Sequence, residues 1–173
     1  HDNLPFAGTD VVDLKLPAED NALEMAVRCL GYVDWGAVEC TCLDCKVPQL
    51  AEHITNAVPF ETIERLGDVL AQMSAAALPA YKALMTATHC QNIVYALDLA
   101  EQLDEYILSP SIASPEDAAA EELAFILPEK AAKMIRPHIN LHTYGQALLA
   151  SRNNIQTEYG LLERRDGQSI QTI

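Results

Sequence analysis

The chain has 173 residues and a formal net charge of −14, with 25 Asp and Glu against 11 Lys and Arg. Its residues are 50% hydrophobic, which separates it from acidic disordered tails that have little apolar surface to bury. It has no run of about 18 apolar residues, the pattern of a membrane-spanning helix. The negative charge disfavours binding to nucleic acid or anionic membrane and favours a basic protein partner.

Residues 1–58 predict a small α+β module. The stretch 12–16 alternates apolar and polar side chains and predicts a strand. Residues 17–31 then predict a helix, because a proline opens the segment and a glycine closes it. The stretch 38–43 alternates again and predicts a second strand. A short helix is expected between residues 49 and 56.

Residues 59–108 predict a helical module. Apolar residues at helical spacing indicate a first helix over Phe60–Met73. Ser74 is placed to cap a second helix, which is expected to end near Thr88. A third helix is predicted from Gln91 to Tyr106, with an apolar face inward and an acidic face outward.

Residues 109–173 predict a second α+β module, which begins with a linker rich in serine and proline. Ser114 is expected to cap a helix that runs to about Ile126. Pro115 then occupies the first helical position and Asp117 the third, which is close to a capping box.

The end of the chain carries weaker signals. Pro128 predicts the start of another short helix, and residues 154–162 have strand character. Asp166-Gly167 predicts a tight turn. The sequence as a whole predicts an α+β fold built as an elongated chain of small modules, with a helix-rich middle and small antiparallel sheets toward the two ends.

The five cysteines raise the question of a metal site. Cys40, Cys42 and Cys45, with His53 eight residues later, could supply four zinc ligands. Strand alternation also explains why small apolar side chains stand at Cys40 and Cys42. We therefore predict buried structural cysteines and no metal or cofactor, with a small zinc protein as the alternative. An odd cysteine count and no visible signal peptide lead us to expect a cytoplasmic protein with reduced thiols.

No catalytic motif stands out in the sequence. His138 and His142 have helical spacing, but no glutamate lies between them as in zinc proteases. His89 and Cys90 are sequence neighbours, which point in different directions on a helix. Glycine-rich phosphate-binding patterns and the serine nucleophile motif are absent. The prediction is that the protein is not an enzyme.

The acidic residues are unevenly distributed. Residues 1–129 hold 22 acids and five bases, a net charge of −17, whereas residues 130–173 have a net charge of +3. No Lys or Arg occurs between Ala83 and Glu129. This stretch is either a solvated surface or a recognition surface.

The recognition alternative is mimicry of DNA. Duplex DNA presents one negative charge per roughly 1.7 Å of its axis. Carboxylates at helical spacing recur about every 5–6 Å, since a helix rises about 1.5 Å per residue. Such carboxylates could take the place of phosphates in a basic DNA-binding groove. The candidate phosphate surrogates are Asp98, Glu101, Asp104, Glu105, Glu116, Asp117, Glu121 and Glu122.

Several segments follow one another in a recognisable order: the entry Leu14-Lys15-Leu16-Pro17-Ala18 with its helix to Leu30-Gly31, the strand near Glu39–Asp44, the segments Ser74–Thr88 and Ile93–Tyr106, and the Tyr-Gly stretch within Ile139–Leu148. In this order they resemble a known family, the ArdA-type antirestriction proteins of conjugative plasmids and transposons.

The resemblance implies a cytoplasmic, elongated homodimer of small α+β modules. Members of that family occupy the DNA-binding site of type I restriction–modification enzymes and protect incoming DNA without catalysing a reaction. The resemblance places the acidic middle of this chain in that role and leaves the basic C-terminal segment for self-association. The alternative is a helical interaction module of a mobile element that binds another basic partner.

Overall fold

The protein is a mixed α+β structure, as predicted; the computed structural model describes residues 11–31 and 35–173. The helices are α1 (Asp20–Leu30), α2 (Pro48–Ala51), α3 (Phe60–Gln72), α4 (Ala77–Thr88), α5 (Ile93–Glu101), α6 (Pro115–Ile126), α7 (Glu129–Ile135) and α8 (Leu141–Ala150). The strands are β1 (Tyr106–Ser109), β2 (Ile155–Thr157) and β3 (Gly160–Arg164). Short 3₁₀ turns occupy Trp35–Ala37, Leu103–Glu105 and Arg136–His138.

Contacts group the chain into two compact units. The first contains the described residues up to Met73 together with Gln91–Leu97, and the second contains Ser74–Cys90 together with Asp98–Ile173. The expected domains 1–58, 59–108 and 109–173 stay a prediction.

The first unit contains helices α1, α2 and α3. Gly31 adopts a left-handed φ of 74° and ends α1 as the sequence predicted, since glycine takes this conformation without steric cost. Helix α3 buries the apolar face that its spacing predicted, with Leu66 almost fully enclosed. At its start, the Phe60 ring stacks on Trp35 with 3.9 Å between the ring centroids.

The strands predicted over 12–16 and 38–43 are wrong: no strand is assigned in the described residues of the first unit. Both stretches nevertheless alternate between half-buried and exposed side chains, as a strand would. The first packs on α3, where a Cβ on Gly67 would lie 2.7 Å from the Leu16 Cβ. The sequence thus predicted which side chains face inward, but the described residues provide no neighbouring strand to pair with.

The second unit contains a three-stranded antiparallel sheet in the order β1-β3-β2. Strand β3 is central, and Leu161 and Leu162 within it are fully buried. Gly160 begins β3 with a φ of 130°, and a Cβ there would lie 2.4 Å from the Ser109 carbonyl oxygen. The side chains of Tyr81 and Leu84 on α4 are also fully enclosed.

Helices α6 and α8 pack closely against each other in the same unit. Gly145 of α8 is buried, and a Cβ at this position would lie only 1.7 Å from the carbonyl oxygen of Pro115 on α6. The Tyr-Gly stretch is therefore the point where α8 meets the beginning of α6. In the same unit, Ile112, Ala118 and Leu161 form a buried cluster, against which Leu149 of α8 packs.

Candidate functional site

The predicted acidic helix is shorter than expected. It begins at Ile93, where the Asn92 side-chain oxygen accepts the Val94 N–H at 2.8 Å, and it ends at Glu101 instead of Tyr106. The chain leaves the helix because Tyr106 starts β1 and pairs with Arg164 of β3. The prediction of one helix over Gln91–Tyr106 is therefore wrong.

This change divides the first four candidate acids between two elements. Asp98 and Glu101 lie on α5, whereas Asp104 and Glu105 lie on the 3₁₀ turn that follows. All four are exposed. The prediction that they share one helical face is wrong, although they remain close in sequence and accessible to a partner.

Two arginines of the basic C-terminal segment contact this acidic turn. The Arg165 Nε donates to the Asp104 carbonyl oxygen at 2.6 Å, and its backbone N–H donates to the Glu105 carbonyl at 2.8 Å. Arg164 lies 3.5 Å from the Glu105 carboxylate. The base-free stretch is therefore not free of positive charge once the chain has folded.

Arg164 is held mainly by another acid, Asp166. Its Nε and Nη2 atoms donate to the two Asp166 carboxylate oxygens at 3.0 and 2.7 Å. This hydrogen bonding raises the pKa of the arginine, and it leaves a weaker, longer contact for Glu105. Sequence reasoning missed Asp166 as a partner, although it predicted the Asp166-Gly167 turn that brings the two side chains together.

The second group of candidate acids lies on α6, which the sequence placed correctly. The Asp117 N–H donates to the Ser114 hydroxyl at 3.3 Å, and the Asp117 carboxylate accepts from the same hydroxyl at 2.9 Å and from the Ala113 N–H at 3.1 Å. These bonds, that from Ser114 first, lower the pKa of Asp117. Its carboxylate is thus occupied at the start of the helix.

Glu116 contacts a histidine of α8. The Glu116 carboxylate lies 2.8 Å from His142 Nδ1, and both side chains are about half exposed, at 47% and 54%. The pKa of Glu116 is lowered by a hydrogen bond from its own backbone N–H and then by the bond to His142. His142 lies on α8 and His138 on the preceding 3₁₀ turn, so the two do not share a helix face.

The remaining acids of α6 face outward to different degrees. Glu121 is exposed and has a long 3.5 Å contact with the Ser111 hydroxyl, and Glu122 is half-buried. Within the part of the chain that the structure describes, no hydrogen bond or ion pair reaches the carboxylates of Asp98, Asp104 or Glu122. Of these three, Asp98 and Asp104 are exposed and are the most available to an external cation.

Neither cysteine nor histidine residues form a metal cluster within residues 11–31 and 35–173, where no group of three or more His, Cys, Asp and Glu side chains converges. His53 lies 3.7 Å from the Glu52 carboxylate. His89 is exposed at the left-handed end of α4, whereas its neighbour Cys90 is buried. The absence of zinc stays a prediction for elemental analysis.

Comparison with known proteins gives no family: the chain matches no protein-family model and no curated protein. Among the described residues, no helix combines the length and apolar character that crossing a bilayer requires.

Proposed function

We propose that this protein is an ArdA-type antirestriction protein, an acidic DNA mimic that occupies the DNA-binding site of type I restriction–modification enzymes. Supporting the proposal is one observation above all: the base-free stretch folds so that Asp98, Glu101 and Asp104 are exposed on consecutive turns. Mimicry of DNA requires solvent-exposed carboxylates, because the Lys and Arg side chains of the partner's groove must take the place of the water around them.

The mechanism is competitive occupation and involves no bond making or breaking, so the protein is not an enzyme and needs no cofactor. It acts in the cytoplasm as a homodimer. Its partner is the basic groove of the restriction enzyme, in which lysine and arginine normally contact phosphates. Asp117 contributes least to this surface, because its carboxylate already binds Ser114 and Ala113.

The test is inhibition of type I cleavage by a variant in which four acids become amides. This variant combines Asp98→Asn, Glu101→Gln, Asp104→Asn and Glu105→Gln. We expect it to remain folded, because all four side chains are exposed, and to inhibit clearly less well than the wild type. Asp104→Asn alone is expected to be nearly silent, since an exposed ion pair contributes about 0–1 kcal/mol.

A matched control removes the same charge from the first unit. Four exposed acids there are changed to amides, namely Asp13, Glu39, Glu52 and Asp68. If the acidic turn is the site, this control keeps its potency. Equal loss in both variants would mean that net charge alone matters, and unchanged potency in the first variant would make the turn a solvated surface.

The alternative is an interaction module for a basic partner other than a restriction enzyme, and one feature of α6 favours it. Phe125 and Ile126 are 86% and 51% exposed, and they follow Glu121 and Glu122 by four residues. Side chains four apart lie together on a helix, so acids and large apolar groups are side by side. Changing Phe125 and Ile126 to serine leaves DNA mimicry unaffected but weakens binding to an apolar, basic groove.

A further inference from the structure

Three cysteines lie in an extended loop of the first unit, just before α2, and two of them form a C-x-x-C pair. Cys42 and Cys45 are separated by Leu43, which is 80% exposed, and Asp44, which is also exposed. Both cysteines are half-buried, whereas the sequence predicted buried cysteines, so a small reagent can reach them. Neither thiol has a role in the proposed contact between the acidic residues and a restriction enzyme.

Backbone hydrogen bonds fold both sulfur atoms back onto the same short loop. The Cys42 thiol donates to the Asp44 carbonyl oxygen at 3.3 Å, and the Cys45 sulfur accepts the Val47 N–H at 3.4 Å. Val47 is fully buried, so the end of the loop is anchored in the core.

The two thiols also act on each other. Burial raises the pKa of Cys42, and the neighbouring Cys45 raises it further through its charge and through a hydrogen bond between the side chains. The pair is thus asymmetric, because the Cys42 thiol donates to a backbone carbonyl whereas the Cys45 sulfur accepts a backbone N–H.

We propose that Cys42 and Cys45 form a reversible disulfide by exchange with a low-molecular-weight disulfide, which makes this loop a redox-modified site. The inference does not depend on the proposed function. Cys40 precedes the pair by two residues and is not part of it.

The exchange takes place in two steps. Cys45 loses its proton to solvent, and its sulfur attacks one sulfur of the small disulfide, which forms a mixed disulfide and releases one small thiolate. Cys42 then loses its proton to solvent and attacks the Cys45 sulfur, which releases the second small thiolate. Two protein thiols are oxidised by two electrons, and the small disulfide is reduced to two thiols after proton uptake.

The experiment uses the full chain, reduced and then equilibrated with oxidised glutathione before acid quenching and alkylation. Of the five cysteines, we expect two to escape alkylation without any added glutathione mass. Tandem mass spectrometry of the wild-type protein should place the bond between Cys42 and Cys45. Addition of excess reduced glutathione should restore all the alkylatable thiols.

Two serine variants separate this pair from its neighbour. Cys42→Ser should stop at the mixed disulfide and retain glutathione on Cys45, whereas the matched control Cys40→Ser should still form the internal bond. Circular dichroism checks that both are folded. The proposal would be overturned if the wild-type protein formed glutathione adducts without an internal bond, or if the bond mapped to Cys40 or Cys29. This mapping uses the wild-type protein and does not depend on either variant.

Discussion

At the scale of single residues, Ser114 holds the beginning of α6. Its hydroxyl accepts the Asp117 N–H and donates to the Asp117 carboxylate at 2.9 Å. A similar bond lies in the turn before α4, where the Ser74 hydroxyl accepts the Ala77 N–H at 3.1 Å, although Ala76 and not Ser74 is the N-cap of that helix. Such bonds join residues three apart, so the local sequence contains all the information that determines them.

The first prediction concerns this cap. Ser114→Ala removes the acceptor for the Asp117 N–H and should lower the free energy of unfolding by about 1 kcal/mol. For a chain of this size, that corresponds to a fall in Tm of about 2–4 °C. Thermal unfolding followed by circular dichroism measures it, and Ser111→Ala serves as the exposed serine control. An unchanged Tm would show that the cap contributes nothing.

The second prediction concerns pH. Hydrogen bonds lower the pKa of Asp117, that from Ser114 being the largest cause, so the ionised form is favoured in the folded state. A lowered carboxyl pKa adds stability above the ordinary value of about 4, and this is lost as the pH falls through the folded-state pKa. Denaturant unfolding between pH 5 and pH 2.5 should show this loss. It should be smaller in Asp117→Asn, and a loss of equal size in that variant would refute the assignment.

At the scale of elements, the sequence predicted most helices but misplaced strands. The sequence predicts that a helix ends at Tyr106 and that a linker begins at Ser109, yet Tyr106–Ser109 forms a strand that pairs with residues more than fifty positions later. The stretches 12–16 and 38–43 have strand-like alternation and no strand pairing among the described residues. Alternation reports which side faces the core, whereas a strand also requires a partner, which local sequence does not reveal.

The third prediction concerns the meeting of α6 and α8. In Gly145→Ala the new Cβ would meet the Pro115 carbonyl at 1.7 Å, so the helices must move apart. We expect the free energy of unfolding to fall by about 3 kcal/mol or more. Gly167→Ala is the control, because nothing lies within 4 Å of its Cβ and only a left-handed φ of 72° opposes it, costing about 1 kcal/mol. Similar losses in both variants would contradict the close packing.

At the scale of the whole molecule, the sequence indicated an acidic region but not how it is neutralised. The candidate acidic residues could be predicted, because a stretch with many acids and no Lys or Arg can be read directly from the sequence. The contacts of Arg164 and Arg165 with the acidic turn were not, since they depend on the pairing of β1 with β3. Folding thus brings the two arginines to Asp104 and Glu105, whereas the Asp98 side chain stays exposed on α5.

The fourth prediction follows from this charge. If carboxylates replace phosphates, inhibition of type I cleavage should weaken steeply as salt rises, because salt screens exposed charges and competes for the basic groove. The measurement is the inhibitory concentration at two salt levels. The quadruple amide variant should show a shallower dependence than the wild type, and equal dependence in both would argue against a role for the acidic turn.

The division of the chain into two units has a consequence for whether one unit can be transferred to another protein. Gln91–Leu97 belongs to the first unit, although the residues on both sides of it belong to the second. Ile93, Ala96 and Leu97 in this stretch are buried. A fragment starting at Ser74 would carry these side chains without the surroundings that cover them. Neither unit can therefore be moved into another protein by itself. Recombination must transfer both units together to preserve the exposed acidic residues of α5 and of the turn that follows it.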